Sequence, residues 1–234
     1  MAEQRVTINM SLKGTSKYLG RFWSGAEAAY GVIIAMTFTS TLRGLSDVTR
    51  QEIYTTVVLT ALFCCIAWGI ADGFFYGWEY NFNAQRRERI TRSAKQGQGQ
   101  KDISIALLHE ELDDSIIGSF DETVREKVYE SIVEYLSRPQ VKEKRAPSLK
   151  IFFPIILSTF LLSAGAGVIV LIPFTVFRDV KYAIAISNVL GVVVLFLVGF
   201  LRQYERGFSR RIVSGSLAAF LGAVIAFITV ILGG

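Results

Sequence analysis

The chain alternates long apolar runs with polar ones, and the run lengths set the first expectations. Residues 1–22 are polar and predict a short N-terminal arm or interfacial helix. From 23 to 42 the chain is only marginally apolar, with Glu27 about one turn inside the start and Thr37, Thr39, Ser40 and Thr41 crowding the far end. A spanning helix needs roughly 20 mostly apolar residues, so this run predicts a first span with one face covered by neighbouring helices. After a short loop, Ile53 to Glu79 predicts a second and more apolar span. Its helix is expected to continue outward through YNFNAQRRERITRSAKQ to the break GQGQ at 97–100. Two amphipathic helices follow. The first covers 103–117 with Ile105, Leu108, Leu112 and Ile116 on one face; the second covers 121–136 with Val124, Val128, Ile132, Val133 and Leu136. Ser119 and Glu122 have capping-box spacing just before the second. Residues 139–150 form a basic linker, and the apolar runs 151–177, 182–201 and 212–232 predict three more spans. With Pro154, the cluster SAGAG at 163–167 and Pro173, the third span is expected to be kinked or tilted.

The pattern describes an all-α integral membrane protein with five transmembrane helices and a cytosolic helical insert between the second and third. It divides into an arm (1–22), spans one and two (23–79), the insert (80–150) and spans three to five (151–234). A hydrophobic content of 51% and a mean hydropathy of +0.40 agree with it. The net charge of +5 does not imply nucleic acid, because all but four of the 25 lysines and arginines fall on one side of these spans. That side is the cytosol by the positive-inside rule, which puts the arm and the insert inside, the C-terminus outside, and the protein in the cell membrane, in contact with lipid. No cleavable leader is visible in the polar, basic first 25 residues, so the first helix is expected to direct insertion. Adjacent Cys64 and Cys65 are read as small packing residues rather than a disulfide.

An Asp at the centre of a span costs about 2.5–3.5 kcal/mol on insertion scales, and intramembrane carboxylates are functional by default. Asp72 is the strongest candidate on that ground. Glu79 follows seven residues later, which puts both acids on one helix face about 10 Å apart along the axis, with Cys65, Trp68 and Tyr76 beside them. Glu27 and Glu79 are expected near the cytosolic ends of their helices, with Asp72 deeper. Carboxylates at stepped depths suit a hard or borderline divalent cation, bound in alternation with protons. In the insert, His109 with Asp113, and Glu110 with Asp114, are i,i+4 pairs able to share a cation, although acids on a wet helix face are more often simply solvated. Ser158, Thr159 and Asn188 either line a path or bond between helices. No nucleophile constellation or phosphate loop appears, so neither an enzyme nor a resident cofactor is expected.

Two spans, a second helix running outward, an acidic helical insert and three glycine-rich final spans resemble the vacuolar iron transporter family over nearly the whole chain. The local match is WEYNFNAQRRE at 78–88, similar to that family's G-E-Y followed by a polar stretch and Q-R-[DE]. A divergent prokaryotic branch is closest in type, with E-x-x-(Y/F)-G at Glu27 to Gly31 and A-W-G-I-x-D-G at Ala67 to Gly73. The resemblance implies export of iron(II), manganese(II) or a similar divalent metal from the cytosol in exchange for protons, by a homodimer with its site between protomers. It assigns Glu79 to the Glu of G-E-Y. Where the family has Asn-Asp-Gly, this chain has Ala29-Tyr30-Gly31, and the family's span-two Met falls at Phe75; Glu27 and Asp72 are our own candidates for the missing ligands. The contrasting expectation is a non-transporting membrane module whose cytosolic helices bind a partner or sense metal.

Overall fold

The computed structural model describes residues 2–42, 49–96, 100–142 and 149–233. The chain falls into two compact units, one made of 1–77 with 151–234 and the other of 78–150.

In the first unit, α1 (Ala2–Thr41) is helical on both sides of Gly20, whose φ of +66° interrupts it. That left-handed conformation is one glycine adopts at little cost. The expected arm is thus itself helical, and the expected first span begins just beyond the interruption. Glu27, Val32, Ala35, Met36, Thr39 and Ser40 are buried at helical spacing, so the hydroxyl-rich end faces protein. The marginal hydrophobicity of α1 is explained by its interior position.

A short turn (Arg50–Glu52) and a π-helical stretch (Ile53–Val58) lead into α2 (Leu59–Lys95). The turn starts with a capping box: the Thr49 amide donates to Glu52 Oε2 at 2.9 Å, and the Glu52 amide donates to Thr49 Oγ1 at 3.3 Å. Bonding from Thr49 holds the Glu52 carboxyl below its ordinary value. Its contribution is therefore complete above the unfolded carboxyl pKa and fades as pH falls through the lowered one.

Helices α5 (Phe152–Val176), α6 (Val180–Arg202) and α7 (Phe208–Gly233) complete this unit. α5 runs without a break, with Pro154 in its first turn, where a proline removes no helical hydrogen bond, and Pro173 in its last. Asp179 caps α6, its Oδ1 accepting from the Lys181 amide at 2.8 Å and the Tyr182 amide at 3.4 Å. Asp179→Ala is expected to cost about 1 kcal/mol, a fall of roughly 2–4 °C in a thermal melt of the purified protein.

Among the described residues, four helices are long and apolar enough to cross a bilayer, at Ile53–Lys95, Phe152–Val176, Val180–Arg202 and Phe208–Ile228. This is the architecture of an all-α, multi-pass membrane protein. α1 is not among the four, because Glu27 and its hydroxyl-bearing end dilute the apolar stretch.

The helices meet through small residues. Gly69, Gly73 and Gly77 recur every fourth residue along α2 and lie against α5: a Cβ at Gly69 would sit 2.7 Å from Phe160 Cα, and one at Gly73 2.5 Å from Ile156 Cα. On α1, a Cβ at Gly31 would collide with the Ser163 carbonyl of α5. The SAGAG cluster thus serves close backbone approach. Cys65 is fully buried and both cysteines are free thiols.

The second unit holds the rest of α2 from Trp78, then α3 (Lys101–Leu112), a 3₁₀ turn (Ile116–Ser119) and α4 (Glu122–Leu136). Its core is Ile90, Ala94, Leu108, Tyr129 and Val133. α3 ends at Leu112 rather than 117, since Asp113 and Asp114 place negative charge at the negative end of the helix dipole. Ile116 consequently points outward at 78% exposure, and Ile117 packs in its stead. The capping box expected at Ser119 and Glu122 does not form. α4 starts at Glu122 with Asp121 in the cap position, and the Ser119 hydroxyl donates instead to the Ile116 carbonyl at 2.6 Å. The loop residues 43–48, the break at 97–99 and the linker residues 143–148 lie outside the described residues.

Candidate functional site

Three layers stack where α1 and α2 run antiparallel. The middle layer is Glu27 of α1 with Asp72 of α2. Glu27 is 0% exposed; its Oε1 accepts a hydrogen bond from the Tyr76 hydroxyl at 3.0 Å, while its Oε2 is buried without a hydrogen-bond partner. The half-buried Asp72 carboxyl lies within hydrogen-bonding range of Glu27. On one side Trp23 packs against Tyr76, ring centroids 5.5 Å apart; on the other Tyr30 packs edge-on against Trp68 at 5.6 Å. Because α-helical residues three or four apart share a face, 23, 27 and 30 on one helix meet 76, 72 and 68 on the other.

The seam expected on α2 is therefore turned toward α1. Cys65 belongs to it too, its thiol donating to the Gly31 carbonyl at 3.4 Å. Two anionic carboxylates in contact repel, and in a low-dielectric interior the repulsion is large. A shared proton or a cation between Oε2 of Glu27 and Asp72 removes it. Tyr76→Phe deletes the one donor that orients Glu27, and a hydrogen bond to a charged group contributes about 1.5–3 kcal/mol. Cation affinity at the pair should fall about tenfold, measured by equilibrium binding to the purified variant.

The other candidates do not join this pair within the first unit. Glu79 is an exposed residue of the second unit. In that unit, Arg86 contacts Glu111 at 3.1 Å and Glu110 at 3.0 Å, the latter as an ion pair without hydrogen-bond alignment. His109 lies between two acids, its Nδ1 3.7 Å from Asp113 and its Nε2 3.6 Å from Glu126. Acids at opposite ring nitrogens do not converge on one point, so the expected pairing of His109 with Asp113 forms but is not a shared chelate. Arg125 also contacts Asp113 at 3.6 Å, and Lys101 holds Glu130 at 3.1 Å. Glu126 and Glu130 of α4 thus have different partners, His109 and Lys101, and Asp114 is exposed. Among the described residues, no three of His, Cys, Asp and Glu are grouped so as to hold a metal.

The remaining polar candidates are accounted for by packing. Ser158 and Thr159 donate to carbonyls of their own helix, whereas Asn188 Oδ1 accepts from the Ser40 hydroxyl of α1 at 3.5 Å. Sequence reasoning missed Trp23 and Tyr30 as flanking layers; the signal was the matching spacing of aromatics around one acid on each helix. It also missed Tyr129, which is fully buried against His109, with ring centroids 4.5 Å apart. Burial and the nearby Asp113 carboxylate push that phenol above its ordinary value.

No protein-family model matches this chain, and no curated protein matches it either.

Proposed function

We propose that the protein exports a divalent cation such as iron(II) or manganese(II) from the cytosol in exchange for protons, with Glu27 and Asp72 as its intramembrane station. The observation that carries this reading is the buried Glu27, one oxygen oriented by Tyr76, the other buried without a donor, and the Asp72 carboxyl beside it. A carboxylate pair in that state binds either a cation or protons, and competition between the two is the simplest form of exchange. The reading makes α1 a fifth span, protected from lipid by its neighbours, with the N-terminus and the 80–150 segment cytosolic and the C-terminus opposite. Two carboxylates supply few of the six or more oxygens that a hard cation prefers. Water, or a second copy of the chain in a homodimer, completes the shell. The likeness to the vacuolar iron transporter family supports the same direction and cargo.

A second reading is a non-transporting module whose cytosolic helices bind a partner. It draws on the groove of about 430 Å³ on α4, lined by Val124, Lys127, Val128, Ser131, Ile132 and Tyr135. Proteoliposomes loaded with a metal-sensitive dye decide between them. Manganese(II) or iron(II) flux that rises with an opposing proton gradient is expected, and folded protein giving no flux of any divalent metal would sink the exporter reading.

A further inference from the structure

The side chains beside the Glu27–Asp72 pair suit a second kind of cation besides a metal ion. One turn away on either helix stand Trp23, Tyr30, Trp68 and Tyr76, two indoles and two phenols around two carboxylates. A hard divalent ion gathers several oxygen ligands. A cation whose charge is spread over organic substituents needs only a counter-charge and the electron-rich faces of aromatic rings, tryptophan best.

The exposure pattern points the same way. Glu27 is completely enclosed, its Oε2 buried without a hydrogen-bond partner and the Asp72 carboxyl close by. Asp72 is only half buried, and three of the four rings remain substantially open: Trp23 at 44%, Tyr30 at 37% and Trp68 at 43%. Exposed aromatic surface thus lies a turn to either side of the pair, where a molecule dissolved in the bilayer can meet it. A hydrated metal ion has no such solubility, whereas a lipophilic cation does.

We propose that the Glu27–Asp72 pair and its aromatic layers bind a lipophilic organic cation, such as a quaternary ammonium or phosphonium carrying aromatic groups. This rests on reading the pair as a cation site and extends its substrate class beyond metal. Glu27 and Asp72 supply the counter-charge, and Trp68 and Trp23 supply the ring faces. Protons compete for the same carboxylates, so binding weakens as the site is protonated.

The test uses radiolabelled tetraphenylphosphonium and the full-length protein in detergent, with manganese(II) flux measured on the same preparation in proteoliposomes. The unmodified protein should bind the phosphonium, and manganese(II) should displace it. Trp68→Leu, which keeps an apolar side chain, should weaken binding about tenfold, and Asp72→Asn should weaken it more. Binding that manganese(II) does not displace would place the phosphonium elsewhere and overturn the inference. So would an absence of binding by the unmodified protein, or equal binding by both folded variants. Metal flux without phosphonium binding would leave the exporter reading standing and remove this one; phosphonium binding without metal flux would do the reverse.

Discussion

Asp72→Asn is expected to reduce metal flux in proteoliposomes by about 100-fold or more, because losing even an outer partner of a metal ligand costs 10–100-fold. The substitution is nearly isosteric and keeps Asp72's place between Trp68 and Tyr76, so the rings on either side need not move. What it removes is one of the two negative charges that a dication needs. Glu27→Gln should have a similar effect on flux, but it also perturbs the hydrogen bond from Tyr76, made at 3.0 Å. Its amide NH₂ can donate to Asp72, whose carboxylate then loses its repelling neighbour. Glu27→Gln should therefore stabilise the folded protein while silencing it, a combination common at functional sites. Thermal melts beside the flux assay separate that outcome from simple unfolding. Flux within threefold of the unmodified protein in both variants would refute the assignment.

Gly31→Ala should be among the most damaging single-methyl changes in the chain. The new Cβ meets the main-chain carbonyl of Ser163, and a main chain, unlike a long side chain, has no alternative rotamer to adopt. α1 and α5 must separate, and that loosens the approach of Gly167 to the Gly31 carbonyl as well. Overpacking of this kind costs typically 1–3 kcal/mol, and a backbone collision belongs at the upper end, so the melting temperature should fall by roughly 6–12 °C. Gly165→Ala is the control. It lies two residues beyond Ser163 on the same helix, but its Cβ would meet nothing within 4 Å. There the better helix propensity of alanine, worth about 1 kcal/mol, should leave stability unchanged or raised. Equal melting temperatures for the two variants would show that the α1–α5 approach is looser than described.

The membrane helices were legible because hydropathy over 20 residues is a strong signal, and the observed α5, α6 and α7 start and stop within a few residues of the expected runs. The interior position of α1 is legible from a weakness: an apolar run containing Glu27 and four hydroxyl residues needs neighbours. The seam of Cys65, Trp68, Asp72 and Tyr76 followed from helical periodicity alone. The pairing of Glu27 with Asp72 did not, since it depends on which residues of two antiparallel helices fall level, and that is set by the loop between them and by close packing on α5. The insert was read less well. Of the apolar faces expected from periodicity, Ile105, Leu108, Leu112, Ile132, Val133 and Leu136 do pack in its core, but Ile116 and Val124 are exposed, and Tyr129, whose polar tip hides a buried ring, joins the core. Its acids were read as a possible chelating surface. Of these, Glu110 lies against Arg86 and Asp113 against both His109 and Arg125, and a basic residue on a facing helix is invisible to a pattern taken one helix at a time.

The glycines at 69 and 73 set α2 against α5 through main-chain atoms and the near ends of side chains, and Gly77 adds the flat ring of Phe152. Such a contact works as a mechanical stop: it has no long, soft side chain to compress or rotate. The helix that carries Asp72 is therefore referenced to a hard surface on one flank, with Glu27 waiting on another. Thermal play in the gap between the two acids is limited by the stiffness of packed backbone rather than by rotamer freedom. Under the proposed function a gauge of that kind selects by size, whereas the same carboxylates hung from a helix with leucines at those three positions would close on any cation offered to them.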